Sequence, residues 1–351
     1  ESCEAFYQEK DLEEGSCPFH PGKPLSTIRE ENYFFALSRY AKPLLDHIRA
    51  HPEFIMPETR RHEIVALIEQ GLNDISVSRA GGRWGIPLPV DESHVVYVWF
   101  DALINYITAV GYGWDEARFQ RWWPAELHVI GKDITRFHCV IWPAMLLSAG
   151  IELPRTIFGH GFVYHRGERI SKTLGNVINP LDIVDRFGPD PLRYFLMREG
   201  SFGKDSDFTW ENFINRYNHD LGNDLGNLLQ RTLGMIRRYQ GGTIRRPDRL
   251  SALRGEPFAE LEAAVEGVLS RIREALDPTQ KDIDFPVALQ EIWKLVALGN
   301  AYLDRMKPWS LQKGGEGDAV AAVLHTVADL LRIVAGLLDP FLPHTAVAIR
   351  R

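Results

Sequence analysis

Apolar residues recur at three- and four-residue spacing through most of the chain after Trp210, the period of a helix that buries one face. The spacing predicts helices over 210–239, 258–276, 285–306 and 317–338, with Gly- and Pro-rich breaks between them. Such a succession predicts an all-α bundle. Upstream the pattern is different. His94 to Trp99 is rich in β-branched and aromatic residues, and an apolar helix-like stretch follows it to Val110. Leu127-His128-Val129-Ile130 reads as a short buried strand, then comes Gly131, then a helix-like stretch from Ile134 to Ala149. Strand, glycine and helix in that order are what parallel sheets use, and ligands sit at the carboxyl ends of such strands. Residues 157–178 read as strand and loop, and Pro180 to Met197 as short helices split at Gly188-Pro189-Asp190-Pro191. Residues 25–90 mix short strand-like and helical pieces and end in turn-rich sequence.

Length and composition narrow the reading only a little. The chain has 351 residues, room for two or three domains, with 45% hydrophobic and 25% charged residues, the usual globular range. Its longest apolar runs are short and broken by charge or proline, so no segment is expected to span a bilayer. No stretch reads as a signal peptide. The net charge of −7 does not advertise nucleic-acid binding, although a local basic face can serve an acidic protein. Three cysteines argue against a disulfide scaffold and for a reducing, cytoplasmic setting.

Cys3, Cys17 and His20 fall close together, with Cys17-Pro18-Phe19-His20 on a tight turn. Thiolates and an imidazole at this spacing suit tetrahedral zinc, one donor short of a closed structural site. A Cys just before Glu1 would complete the set; the competing reading is free thiols and a surface histidine.

Gly167-Glu168-Arg169-Ile170-Ser171-Lys172-Thr173 is a basic, hydroxyl-bearing, glycine-flanked loop. Such a loop can grip a triphosphate and neutralise the charge that builds on departing pyrophosphate. Two further stretches offer a pocket. Tyr97 to Tyr106 brings Trp99, Ala102, Leu103 and Tyr106 to a strand-to-helix junction, and His128 to His138 places Asp133, Ile134 and His138 on the first turns of a helix. Aromatic and aliphatic walls with a carboxylate and an imidazole fit a small zwitterion with an apolar tail. Sulfur against aromatic rings is favourable by about 0.3–1.5 kcal/mol, and an Asp facing an α-ammonium makes a charge-assisted bond.

Arg169-Ile170-Ser171-Lys172-Thr173 resembles the Lys-Met-Ser-Lys-Ser loop of class I aminoacyl-tRNA synthetases, and the pair of pocket stretches resembles the methionyl-tRNA synthetase family in particular. Isoleucyl, leucyl, valyl and cysteinyl enzymes share the loop but not that pair. The resemblance covers essentially the whole chain. It implies an α/β fold, the C-terminal half of a Rossmann-like class I catalytic domain, with a zinc-knuckle connective insertion and an all-α anticodon-binding bundle. The expected divisions are 1–75 for the insertion, 76–165 for the nucleotide half, 166–209 for the nucleotide loop and stem-contact region, and 210–351 for the bundle.

The roles implied are specific. Asp133 holds the methionine ammonium, and Trp99, Ala102, Leu103, Tyr106, Ile134 and His138 line the side-chain pocket. Leu103 stands where many members carry proline. Gly131, Lys132, Asp133, Val163 and Lys172 contact ATP, which arrives with Mg2+ as substrate. Arg169, Ser171 and Lys172 act on pyrophosphate, and Cys3, Cys17 and His20 hold structural zinc. Asn223, Asn227 and Arg231 are four residues apart and so share a helical face. With Trp309 they are implied to read the CAU anticodon of tRNA(Met), whose acceptor end reaches the catalytic half. The resemblance also implies that a His-x-Gly-His motif and the first half of the nucleotide fold lie outside this sequence. This chain alone is therefore expected to be nearly inactive, and to be poorly soluble or complemented by another chain. A non-catalytic tRNA-binding module is the competing reading.

Overall fold

A computed structural model describes residues 31–80, 84–170, 176–247, 256–279 and 283–351. The expectations for Cys3, Cys17, His20, Ser171 and Lys172 lie outside the described residues.

The chain opens with β1 (Phe34–Phe35), a single 3-10 turn and α1 (Ala41–Ala50), then β2 (Ile55–Met56) and α2 (Glu58–Glu69). β3 (Ile75–Ser76) returns antiparallel to β1. β4 (Ser78–Ala80), β5 (Pro87–Leu88) and β6 (Asp91–Val96) form a small antiparallel sheet with β6 in the middle. The helices α3 (Val98–Thr108) and α4 (Glu116–Trp122) follow, and then β7 (Leu127–Gly131), α5 (Trp142–Ala149) and β8 (Thr156–His160).

β2, β8 and β7 make a parallel sheet with β8 central. The expected strand–glycine–helix unit is therefore present. β2 comes from the part assigned above to the insertion, and its neighbours pack the same way. Leu37, Leu44, Ile48, Phe54 and Ile64 share one core with Leu103, Ile130, Val140 and Ile157. Residues 37–69 thus share one core with residues from 103 to 157.

Two helix starts differ from the sequence reading. The β-rich run ends at Val96, and Tyr97 is the extended N-cap of α3, so Trp99 lies on the first turn of a helix. Leu103 and Ile107, four apart, face the core and set the helical phase against the β propensity of Tyr97-Val98-Trp99-Phe100. The stretch from Lys132 to Ala149 begins as a 3-10 turn, widens into a π-helical segment at Phe137–Ile141 and continues as α5.

β9 (Val163–His165) pairs antiparallel with β10 (Glu168–Arg169) and parallel with β11 (Ser206–Phe208). Between them lie α6 (Pro180–Phe187) and α7 (Pro189–Arg198), broken at Gly188, whose φ of +82° suits a residue without a Cβ. The bundle follows. α8 (Trp210–Arg216) runs through a π-helical segment, Tyr217–Gly226, into α9 (Asn227–Gln240). α10 (Glu256–Leu276), α11 (Phe285–Met306), α12 (Pro308–Lys313), α13 (Gly317–Leu338) and α14 (Pro343–Arg350) complete it.

α13 is long and apolar enough, by length and composition, to cross a membrane. Here it is the core helix of the bundle: Val323, Val327, Leu330, Val334 and Leu338 are buried with Ile292, Leu295 and Val296 of α11.

Candidate functional site

The pocket residues converge at the carboxyl end of β7. Gly131 ends the strand, and the 3-10 turn Lys132–Ile134 carries Asp133, whose carboxylate is exposed. That carboxylate folds back over the glycine: a Cβ at 131 would meet Asp133 Oδ1 at 2.6 Å. A side chain at 131 would therefore push the acid off the strand end.

His138 is 2% exposed. Its Nδ1 lies 3.0 Å from the carbonyl oxygen of Ile134, which can only accept, so Nδ1 carries the proton. Burial holds the ring pKa below its usual value, and the backbone bond opposes this only in part. In the neutral ring Nε2 is an acceptor, and the Tyr106 hydroxyl donates to it at 2.9 Å. His128 packs its ring 4.3 Å from that of Tyr106. It is pushed down to about 4 by burial first and by His138 second. The floor of the site is thus polar and uncharged, a surface that can meet a polarizable thioether without desolvating an ion.

Trp99 closes the side of this floor. Its ring stacks on Phe137 at 3.9 Å and stands edge-on to His138 at 6.4 Å. Ile134 and Ala102 are half-buried beside them. Leu103 is 1% exposed and sits in the core, so it backs the site from behind. Phe137 and His128 were not singled out from the sequence. An imidazole inside the apolar strand Leu127–Gly131 was the one signal for His128; nothing separated Phe137 from ordinary core.

Of the described residues expected to meet ATP or its pyrophosphate, Lys132, Arg169 and Val163 lie around Phe162, which sequence reasoning also passed over. Lys132 Nζ and the Arg169 guanidinium lie 5.0 and 5.4 Å from its ring centroid. Lys132 also pairs with Asp205 at 2.6 Å, and the Phe162 amide donates to the same carboxylate at 2.8 Å. The hydrogen bond from Lys132 is the largest influence and holds the Asp205 carboxyl below the usual range; desolvation, next in size, opposes it, and the Phe162 amide adds a smaller lowering. Val163, partly exposed, starts β9 immediately after Phe162. A cleft of about 660 Å³ opens beside this cluster, lined by Met56, Arg60, Arg61, Lys132, Lys204 and Asp205 among others, and not by the aromatic pocket residues.

The helical face is the third part. Arg231 pairs with Asp304 at 2.5 Å, and its guanidinium lies 5.9 Å from the centroid of Trp309, which is 36% exposed on α12. Asn227, exposed on the first turn of α9, donates to Asn300 at 3.2 Å. Asn223 lies within the π-helical segment, where the turn is wider, so the four-residue rule for a shared face holds from Asn227 onward but not strictly for Asn223.

Residues 1–233 match the family described as tRNA synthetases class I (M), and residues 254–351 match the anticodon binding domain of methionyl tRNA ligase. The chain belongs to the methionyl-tRNA synthetase family. Similar proteins include the methionine–tRNA ligase of Caldanaerobacter subterraneus subsp. tengcongensis, 45% identical over 98% of this chain and 53% of that protein. The methionine–tRNA ligase of Synechocystis sp. is 43% identical over 99% of this chain and 65% of its own length. Mycobacterium tuberculosis methionyl-tRNA synthetase in complex with methionyl-adenylate superposes with a TM-score of 0.91 at 40% identity, over 98% of this chain and 68% of that one. The chain thus spans between about half and two thirds of the length of these curated relatives. The synthetase match includes the segments around Cys3, Cys17, His20, Ser171 and Lys172 that lie outside the described residues.

Proposed function

We propose that this chain supplies the methionine pocket, the pyrophosphate loop and the anticodon face of a methionine–tRNA ligase. The observation that carries the reading is the neutral Tyr106–His138 pair at the carboxyl end of β7, next to the exposed carboxylate of Asp133. In this reading Asp133 binds the ammonium of methionine. Trp99, Ala102, Tyr106, Ile134 and His138 enclose its side chain, with Leu103 behind them. Gly131, Lys132 and Val163 meet ATP, and Arg169, Ser171 and Lys172 hold its departing pyrophosphate.

Activation is an attack of the methionine carboxylate oxygen on the α-phosphorus of ATP. A P–O bond forms, the bond to pyrophosphate breaks, and methionyl-adenylate results. A hydroxyl at the acceptor end of tRNA(Met) then attacks the carbonyl carbon, and AMP leaves. These side chains contribute positioning and charge stabilisation, and no covalent enzyme intermediate is needed. Mg2+ enters with ATP. The reaction belongs with the tRNA pool of the cytoplasm.

We propose the divisions 76–165, 166–209 and 210–351 as the nucleotide half, the loop and stem-contact region, and the bundle, with 37–69 packing on the first. Cys3, Cys17 and His20 supply three of the donors that a tetrahedral zinc would use, and the metal would stabilise their segment without entering the chemistry. Among the described residues no group of His, Cys, Asp or Glu is placed to hold a metal.

The test is amino-acid-dependent exchange of pyrophosphate into ATP by the complete protein. Methionine should support exchange, and leucine and cysteine should not. Exchange driven by leucine or cysteine in preference to methionine would refute the assignment.

A further inference from the structure

Asn300 sits on α11 opposite Asn227 of α9. Its Nδ2 lies 3.1 Å from the carbonyl oxygen of Asp224 and 3.3 Å from that of Val296. Carbonyl oxygens only accept, so the NH2 end of Asn300 must face both of them. Its Oδ1 is then turned toward Asn227 at 3.2 Å, and Asn227 must offer its own Nδ2 there. The chain of bonds fixes both carboxamides: backbone carbonyl, then Asn300, then Asn227. Asn227 is left with its Oδ1 on the open side, one turn before Arg231, which is itself held by Asp304.

We propose that Asn300 is a positioning residue for anticodon reading, which locks Asn227 with its carboxamide oxygen toward the RNA. The inference rests on the proposed anticodon face, to which Asn227, Arg231 and Trp309 are assigned. An unrestrained asparagine can rotate its amide and satisfy donor or acceptor base edges alike. The locked one presents an acceptor first and so favours a base edge that donates an N–H, the exocyclic amino group of cytosine or adenine. Asp224, whose carbonyl anchors the relay, lies in the π-helical segment, and this gives that local widening a use.

The experiment titrates the complete protein with labelled tRNA carrying a CAU anticodon, and with variants changed at one anticodon base each. Asn300→Ala should weaken CAU binding by roughly tenfold. It should also flatten discrimination at one anticodon position, the same position that Asn227→Ala flattens, and leave the other positions unchanged. Asn300→Asp keeps the size and the acceptor that fixes Asn227 and loses only the donor to the backbone carbonyls, so its charge should lower affinity for every variant alike while discrimination stays as in the unaltered protein. A general loss of packing would lower affinity for every variant together. If Asn227→Ala alters discrimination while Asn300→Ala binds and discriminates as the unaltered protein does, or if Asn300→Asp flattens discrimination as Asn300→Ala does, the positioning role is wrong and the face stands. If Asn227→Ala changes nothing, the assignment of the face falls and this inference falls with it.

Discussion

Tyr106 and His138 are joined by a 2.9 Å hydrogen bond across 32 residues of sequence, with the tyrosine as donor. The direction follows from the Ile134 carbonyl on the other side of the ring, which claims the imidazole proton. The pair therefore links the first helix of the pocket to the second without placing a charge between them.

Tyr106→Phe removes the donor and leaves a buried acceptor on His138. An unsatisfied buried group costs about 1–3 kcal/mol. In the complete enzyme, KM for methionine in pyrophosphate exchange should rise by roughly fivefold or more, with KM for ATP little changed. An unchanged methionine KM would remove Tyr106 from the pocket.

His128 gives a stability signature. Its native pKa of about 4 lies below the ordinary histidine value of 6.5. Between those values the unfolded chain binds a proton that the native ring refuses, so stability is constant above about pH 6.5 and falls as pH drops toward 4. The full loss attributable to this ring is roughly 3 kcal/mol as an upper bound. His138, shifted in the same direction, adds to it. Denaturant unfolding at pH 7.5 and 4.5 reads the slope, and His128→Phe should make it shallower.

Trp309→Ala should weaken tRNA binding and leave methionine-dependent pyrophosphate exchange intact in the complete enzyme. Loss of a stacking platform is worth about 1–3 kcal/mol per base. Equal tRNA affinity in the variant, measured by fluorescence titration, would take Trp309 off the reading face.

Gly161→Ala tests the joint between the sheet and the loop at 203–205. A Cβ there would meet the Lys204 carbonyl oxygen at 2.0 Å, a distance no rotamer change relieves. The backbone must move, and Asp205 with its bond to Lys132 moves with it. The variant should lose about 1–3 kcal/mol of stability and raise KM for ATP. A melting temperature equal to that of the parent would show that the joint is soft.

Much of the helical half could be read directly. The bounds Phe285–Met306 and Gly317–Leu338 agree with the spacing argument, because long helices average over local propensity and carry clear stops. Asp284 caps the first through the Val287 amide, and Pro286 lies in its first turn. Val98 to Phe100 resisted such reading, because β-branched and aromatic residues at a helix start resemble a strand until the core is known. The motif residues Asp133, Tyr106 and His138 were named from their stretches and do meet at one strand end. Phe137, His128 and Phe162 were not, since a ring that stacks on a functional neighbour has the same local pattern as a ring that fills a core.

Residue order alone settled the long helices of the bundle, the strand–glycine–helix step at 127–149 and which family motifs are present, because these depend on periodicity and on short contiguous stretches. Only the tertiary structure decided that residues 37–69 share a core with residues from 103 to 157, that His138 is an acceptor toward Tyr106, and which way the Asn227 amide faces. Each of these turns on atoms brought together across tens of residues, where burial and a single backbone carbonyl choose between states that the sequence leaves equal.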